Sequence, residues 1–157
     1  YKVSKFVGSV ISAVPESVER IYCVDDACPE GSGEWIRRNV TDPRVTVLRH
    51  EVNKGVGGAV ITGYRQALAD GLDIAVKVDG DGQMNPALVP RFVMPIAAGF
   101  ADYTKGNRFY RVYGLRNMPR ARLFGNAILS FMTKISTGYW NIFDPTNGYT
   151  AISTAVL

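Results

Sequence analysis

The chain has 157 residues, 46% hydrophobic and 20% charged, with a formal net charge of +4. That is the length and balance of a single globular domain with a sizeable core. It carries no internal repeat, no low-complexity segment and no apolar run near the roughly 20 residues of a membrane span.

Phe6, Val7, Val10, Ile11 and Val14 recur at helical spacing, and Pro15 ends that helix. Ile21 to Val24 form a short apolar strand that ends in Asp25-Asp26. Cys23 lies inside this strand as a small buried hydrophobe. Its spacing to Cys28 is not a zinc pattern. Two thiols with no secretory signal ahead of them point to a reducing, cytoplasmic setting. A loop of small and turn residues leads to a short helix over Glu34 to Asn39, then to a strand over Val45 to Leu48. His50, at that strand's end, reads as a surface or packing residue. Gly55-Val56-Gly57-Gly58 then opens a helix with Val60, Ile61, Tyr64, Ala67 and Leu68 on its apolar side.

Ile74, Val76 and Val78 alternate with Ala75 and Lys77, the pattern of a third strand. It runs straight into Asp79-Gly80-Asp81-Gly82-Gln83. Asp79 and Asp81 share a side of the extended backbone, and the glycines let the turn close around them. Two carboxylates and the neutral oxygen of Gln83 suit a hard divalent cation, Mg²⁺ or Mn²⁺, that shares its other positions with a diphosphate. The same letters also make a common polar turn. An EF-hand is excluded, because its sixth position is Met84 and its twelfth is Pro90.

Pro86 suits a first helical residue, and Ala87 to Ala98 read as a helix interrupted by Pro90 and Pro95. A strand over Asp102 to Lys105 and an irregular stretch over Gly106 to Ala121 follow. Leu123 to Ile135 is a helix whose apolar side, Phe124, Ile128, Phe131, Met132 and Ile135, is expected in the core. The end, Asp144 to Ile152, reads as a turn into a strand, with Asp144 capping the turn or facing a ligand.

Strands alternating with helices predict an α/β fold with a mostly parallel sheet and helices on both faces. Ligands of such sheets bind beyond the carboxyl ends of the strands, where Asp25, Asp26, Asp79 and Asp81 all fall. The glycine-rich turn favours a phosphate at the helix start. It departs from a dinucleotide-binding turn because Val60 stands at the third glycine position, which disfavours a dehydrogenase. Lys105, Arg108, Arg111, Arg116, Arg120 and Arg122 form a basic stretch without an acid, suited to phosphate groups on a ligand. Nucleic acid is not expected, since the net charge is small and no recognition motif is present.

Val24-Asp25-Asp26, Asn53-Lys54-Gly55 with Gly57-Gly58-Ala59, Asp79-Gly80-Asp81-Gly82-Gln83, Gly106-Asn107-Arg108 and Asp144-Pro145-Thr146-Asn147-Gly148-Tyr149 come in one order across nearly the whole chain. In this the chain resembles the family 2 glycosyltransferases of the GT-A fold. Within them it is most similar to the polyprenyl-phosphate, dolichol-phosphate mannose synthase-like branch. The resemblance implies a Rossmann-like sheet that binds a nucleotide-diphospho-sugar. It also implies a single GT-A domain over 1–157, truncated at both ends and lacking the family's first strand. Tyr1 is similar to the aromatic that ends that strand.

By the same resemblance, Asp25 or Asp26 bonds the nucleotide, and Lys54 and Gly57 belong to the donor pocket. Asp79 lies near ribose and metal, while Asp81 and Gln83 bind the metal. Arg108, with Arg120 or Arg122, holds phosphates. The implied reaction is metal-dependent and inverting, from a UDP- or GDP-sugar to a lipid-phosphate or glycan acceptor, at a membrane surface where the acceptor is a lipid. The later Glu-Asp pair of sugar-hydroxyl transferases and the Gln-x-x-Arg-Trp of processive synthases do not occur. A phosphate acceptor, already anionic, needs no such base. Two alternatives stay open: a nucleotidyltransferase on a related sheet, and a non-enzymatic nucleotide- or polyanion-binding module.

Overall fold

The computed structural model describes residues 2–107, 120–138, 140, 144 and 147–157, with 120–124 and 126 described by backbone alone. Its first part is α1 (Val7–Ser12), β1 (Ile21–Asp25), α2 (Ser32–Asn39) and β2 (Val45–Arg49). β1 and β2 pair in parallel, from Ile21 opposite Val45 to Asp25 opposite Arg49. Val7, Ile11 and Ile36 form the buried centre, with Ile21, Cys23, Trp35, Val45 and Val47 packed around it. The helical spacing of the opening residues therefore produces a core face, although α1 is shorter than its pattern and Phe6 is exposed. Arg44 ties the connection after α1 to the start of β2. Its guanidinium donates to the carbonyls of Pro15 (2.7 Å) and Val18 (3.2 Å) while paired with Asp42.

The second part is α3 (Gly55–Ala69), β3 (Ile74–Lys77), a 3-10 turn over Pro86–Leu88, α4 (Val89–Ala97), β4 (Tyr103–Lys105), α5 (Arg120–Thr137) and β5 (Thr150–Ser153). α3 begins at Gly55, so Gly57 and Gly58 lie in its first turn rather than ahead of it. α4 is continuous. Pro90 falls in the first turn, where its missing N–H would have no partner anyway, so it does not interrupt the helix. α3 packs against both β1 and β3, joining the two parts.

The sheet departs from the mostly parallel arrangement expected. β5 lies between β3 and β4 and runs antiparallel to both. Helix-strand alternation predicts parallel crossovers, but β5 enters at the edge where β3 and β4 leave and runs straight back between them. Thr150 is therefore opposite Lys77 on one side and Lys105 on the other. Ala151, in the middle, is fully buried.

α5 corrects a second expectation. Ile128, Leu129, Phe131, Met132 and Ile135 are all exposed, with Ile135 at 63%, so its apolar side is not core. Thr133 and Lys134 are less exposed than the apolar residues beside them. The period of a helix defines an apolar face but not what covers it. No helix among the described residues is long and apolar enough to cross a membrane.

Candidate functional site

The antiparallel insertion of β5 builds the first half of the site. It brings the exits of β3 and β4 and the entry of β5 to one edge. Past β3, the Lys77 ammonium pairs with Asp79 Oδ1 at 2.5 Å, and the Asp79 N–H donates to Met84 Sδ (3.3 Å). Gly148 backs onto this pair. A Cβ there would lie 2.5 Å from Lys77 Nζ and 3.4 Å from Asp79 Oδ2, so any larger residue would displace the ammonium from its present place. Past β4, the Gly106 N–H donates to the Tyr149 carbonyl (2.8 Å), and a Cβ on Gly106 would meet Asn147 Nδ2. Tyr149 is buried, stacks on Phe92 with ring centroids 4.1 Å apart, and donates its hydroxyl to the Asn85 carbonyl (3.0 Å). Burial pushes its phenol up to about 12. Three motif pieces far apart in sequence thus meet in one packed corner.

The Asp79–Gln83 turn itself stays open. Asp81 is exposed, and its Oδ1 accepts the Gln83 N–H (3.0 Å), an Asx turn. Gly82 takes a φ of 80°, which favours glycine. Asp144 is fully buried with a φ of 64°, and its carbonyl accepts the Asn147 N–H. It belongs to the turn's interior.

The second half lies at the ends of β1 and β2. Asp25 is buried, and its two oxygens accept the N–H groups of Cys28 (2.9 Å) and Gly33 (3.0 Å). Gly33 has no room for a Cβ, which would lie 2.5 Å from Asp25 Oδ2. Asp26 is buried too. Its Oδ1 accepts from His50 Nδ1 (2.6 Å) and from the Lys54 N–H (2.8 Å). The His50 hydrogen bond, then the Lys54 N–H, hold this carboxyl below the usual carboxylate range. Asn53 donates to the Asp26 carbonyl (3.2 Å) and accepts the Gly55 N–H (3.0 Å). The space around Gly55 and Gly57 is open: a Cβ added at either would meet nothing within 4 Å.

The segment before α1 spans the two halves. The Lys2 N–H donates to Cys28 Sγ (3.1 Å) and the Val3 N–H to Ser32 Oγ (3.4 Å), while Val3 and Phe6 lie against Gly80 and Gly82. For the Cys28 thiol, burial acts upward. The hydrogen bonds from Ser32 and from the Lys2 N–H outweigh it and bring the thiol down to about 7. Cys23, by contrast, is pushed up to about 11 by burial alone.

The model of the family described as "Glycosyl transferase family 2" matches residues 2–157. The chain belongs to this family. Its α/β architecture is that of a GT-A glycosyltransferase domain. A UDP-N-acetylglucosamine–dolichyl-phosphate N-acetylglucosaminyltransferase of Methanococcus voltae is 40% identical over 73% of the chain and 45% of its own length. An undecaprenyl-phosphate mannosyltransferase of Micrococcus luteus is 38% identical over 92% of the chain and 58% of its own length. A dolichol-phosphate mannosyltransferase of Pyrococcus furiosus is 28% identical over 87% of the chain and 38% of its own length. The chain therefore spans about half the length of the curated relatives it matches.

Within this family 2 chain, the predicted residues Asp79, Asp81 and Gln83 share one turn, with Asp81 and Gln83 exposed and Asp79 half-buried, and Asp25, Asp26, Lys54 and Gly57 share the other strand-end corner. Arg120 and Arg122 lie in the first turn of α5. Tyr1 and Arg108 lie outside the described residues, as do the side chains of Arg120 and Arg122. Carboxylate and amide oxygens at 79, 81 and 83 are the hard donors that Mg²⁺ or Mn²⁺ takes, and the exposure of Asp81 and Gln83 fits such an ion. Among the described residues no group of three or more His, Cys, Asp or Glu side chains is gathered to hold a metal, so these carboxylates alone would not complete a coordination sphere. Sequence reasoning missed Lys77 as the partner of Asp79. The signal was a lysine facing inward in an otherwise apolar strand, two residues before the carboxylate. It also missed the thiol of Cys28, whose setting depends on residues distant in the chain.

Proposed function

We propose that the chain forms the donor-binding part of a metal-dependent, inverting glycosyltransferase that moves a sugar from a UDP- or GDP-sugar to a polyprenyl phosphate. The observation that carries this is the meeting of the Asp79–Gln83 turn, Gly106 and Gly148–Tyr149 at one sheet edge, in a family 2 chain. Relatives whose names specify dolichyl or undecaprenyl phosphate support the acceptor class. In this reading Asp79, Asp81 and Gln83 hold Mg²⁺ or Mn²⁺, with the donor diphosphate completing the coordination. The ion, when bound, neutralises charge on the departing diphosphate. An acceptor phosphate oxygen bonds to the anomeric carbon from the face opposite the diphosphate. The bond from that carbon to the diphosphate oxygen breaks, and the configuration inverts. Arg108, Arg120 and Arg122 orient the phosphates and oppose their charge.

The exposed face of α5 fits the same reading, as a surface that docks on an anionic bilayer. Between Asp102 and Asp144 the chain has no acid and carries Lys105, Arg108, Arg111, Arg116, Arg120, Arg122 and Lys134. Phe131, Met132 and Ile135 protrude beside Lys134, about three turns of α5 beyond Arg122. Apolar side chains in the acyl boundary and cations at the headgroups are the pairing of an interfacial helix. Flotation with phosphatidylglycerol vesicles, and not with phosphatidylcholine vesicles, is the expected result, and Met132→Glu abolishes it. Equal flotation with both lipids would remove the charge argument.

The function itself is tested in the full-length enzyme by supplying UDP- and GDP-sugars, polyprenyl phosphate and Mn²⁺. Release of UDP or GDP with formation of a glycosyl lipid is expected, and chelation stops it. Release of pyrophosphate when UTP or GTP and a sugar 1-phosphate are supplied instead would mark a nucleotidyltransferase. Nucleotide binding that needs no metal and falls steeply with salt would mark a polyanion-binding module.

A further inference from the structure

His50 joins three elements that the proposed donor site depends on. It is buried, 6% exposed, at the end of β2. Its own N–H donates to the Asp25 carbonyl (2.9 Å), closing the ends of β1 and β2. Its ring reaches Asp26 Oδ1 through Nδ1 (2.6 Å) and Thr62 Oγ1 through Nε2 (2.8 Å). Asp26, ionised, can only accept, so Nδ1 carries the proton that points to it. Thr62 lies in α3, one turn beyond Gly58, and its hydroxyl also stands 3.0 Å from the Gly58 carbonyl.

Asp26 in turn grips the glycine-rich turn twice: its carboxylate takes the Lys54 N–H and its carbonyl takes the Asn53 amide. The turn cannot shift without breaking one of these bonds. The N–H groups of the first turn of α3 have no partner within the helix, and their direction follows the turn. One imidazole therefore fixes the turn from both ends, through Asp26 ahead of it and Thr62 behind it.

We propose that His50 is a positioning residue for the donor nucleotide: acting through Asp26, it sets the direction of the Asn53–Gly58 backbone that faces the donor. This rests on the donor site proposed above, taken to extend to the open space beside Gly55 and Gly57. His50 has no contact with the donor in this account. Losing its bond to Asp26 lets the carboxylate turn and the Lys54 N–H swing with it, so the effect is on donor affinity and not on the acceptor.

Two substitutions separate this role from mere packing. In His50→Asn the amide nitrogen stands near Nδ1 and reaches Asp26. In His50→Gln it stands near Nε2 and reaches Thr62 only. Each removes one of the two ring bonds, so both should lower thermal stability, His50→Gln by more because the partner it loses is ionised. Calorimetric titration of the full-length enzyme with UDP and GDP, in Mn²⁺, reads the difference. His50→Gln is expected to weaken nucleotide binding about tenfold, the size of one charge-assisted hydrogen bond. His50→Asn is expected to stay within about threefold of wild type, at most about half of that free energy. The KM for acceptor is expected to stay unchanged in both.

Equal weakening by the two variants, or unchanged binding in a folded His50→Gln protein, overturns the proposal while leaving the donor site standing. Should His50→Gln not fold, Asp26→Asn takes its place, because it weakens the same bond from its other end. It is expected to weaken nucleotide binding about tenfold, and unchanged binding there also overturns the proposal. A wild-type enzyme that binds neither UDP nor GDP overturns the donor site and this inference with it.

Discussion

Asp25 and Asp26 close β1 buried, with their oxygens committed to the backbone of Cys28, Gly33 and Lys54 and to His50. Asp79 and Asp81 follow β3 at the same kind of strand end, but Asp81 is exposed and Asp79 is balanced by one lysine. Each strand end thus carries two acids, and their surroundings divide the work. The first two shape loops, because a buried carboxylate must be matched by donors, and backbone N–H groups of nearby loops supply them. The second two remain available to a ligand, because their turn meets water and its interior is filled by Gly148 and Lys77 instead. Position at a strand end selects acids for both tasks, and the number of protein donors around them tells the tasks apart.

On that division, Asp81→Asn removes ligand chemistry without removing structure. Transferase rate should fall a hundredfold or more, since one metal carboxylate carries several kcal/mol of transition-state stabilisation. Its melting temperature should match wild type, and a large drop would place Asp81 with the loop-shaping acids. Asp25→Asn should do the reverse. The amide presents an NH₂ to a backbone N–H, leaving a buried donor unmatched at a cost of about 1–3 kcal/mol, read by urea denaturation.

The loop-shaping pair also has a pH signature. The Asp26 carboxyl titrates below its unfolded value, so its stabilisation is complete above the unfolded value and is lost as pH falls through the folded one. Acid unfolding should therefore be shallower in Asp26→Asn than in wild type below about pH 4, the unfolded carboxyl range. Identical acid limbs would detach Asp26 from the network. The smallest effect concerns the packed corner behind Asp79. Tyr149→Phe keeps the Phe92 stack and loses only the bond to the Asn85 carbonyl, about 1 kcal/mol in thermal unfolding.

The cysteines provide a comparison of another kind. The Cys28 thiol, down at about 7, should be alkylated readily by iodoacetamide near neutral pH, while the buried Cys23, up at about 11, should not. Mass spectrometry of a timed reaction checks this. Equal labelling of both would show that the loop around Cys28 does not hold the Lys2 and Ser32 donors in place.

Much of this arrangement can be read from residues in order. Alternation in Ile74–Lys77 and the apolar run Ile21–Val24 mark strands because pleat and burial are local properties. Asp79-x-Asp81-x-Gln83 marks a polar turn with ligand chemistry for the same reason. What the order of residues hides depends on partners far along the chain. Nothing in Thr150–Ser153 states that it runs antiparallel between β3 and β4. Nothing near His50 states that Thr62 and Asp26 will take its two nitrogens. The apolar face of α5 is periodic as expected and yet is not core, because periodicity reports a face and not its neighbour.

The placement of β5 also orders events in time. The sheet's middle strand is the last of its three to leave the ribosome. Among the described residues, β3 and β4 have no ladder partner until Thr150–Ser153 have been made, and each leaves that edge open. The Asp79 turn lacks its backing until Gly148 arrives. The β1–β2 corner needs nothing past α3 and can form early. A nascent chain of this protein would hold a finished loop-shaping half beside an unmade ligand-facing half, so the second is the one that folding helpers must protect.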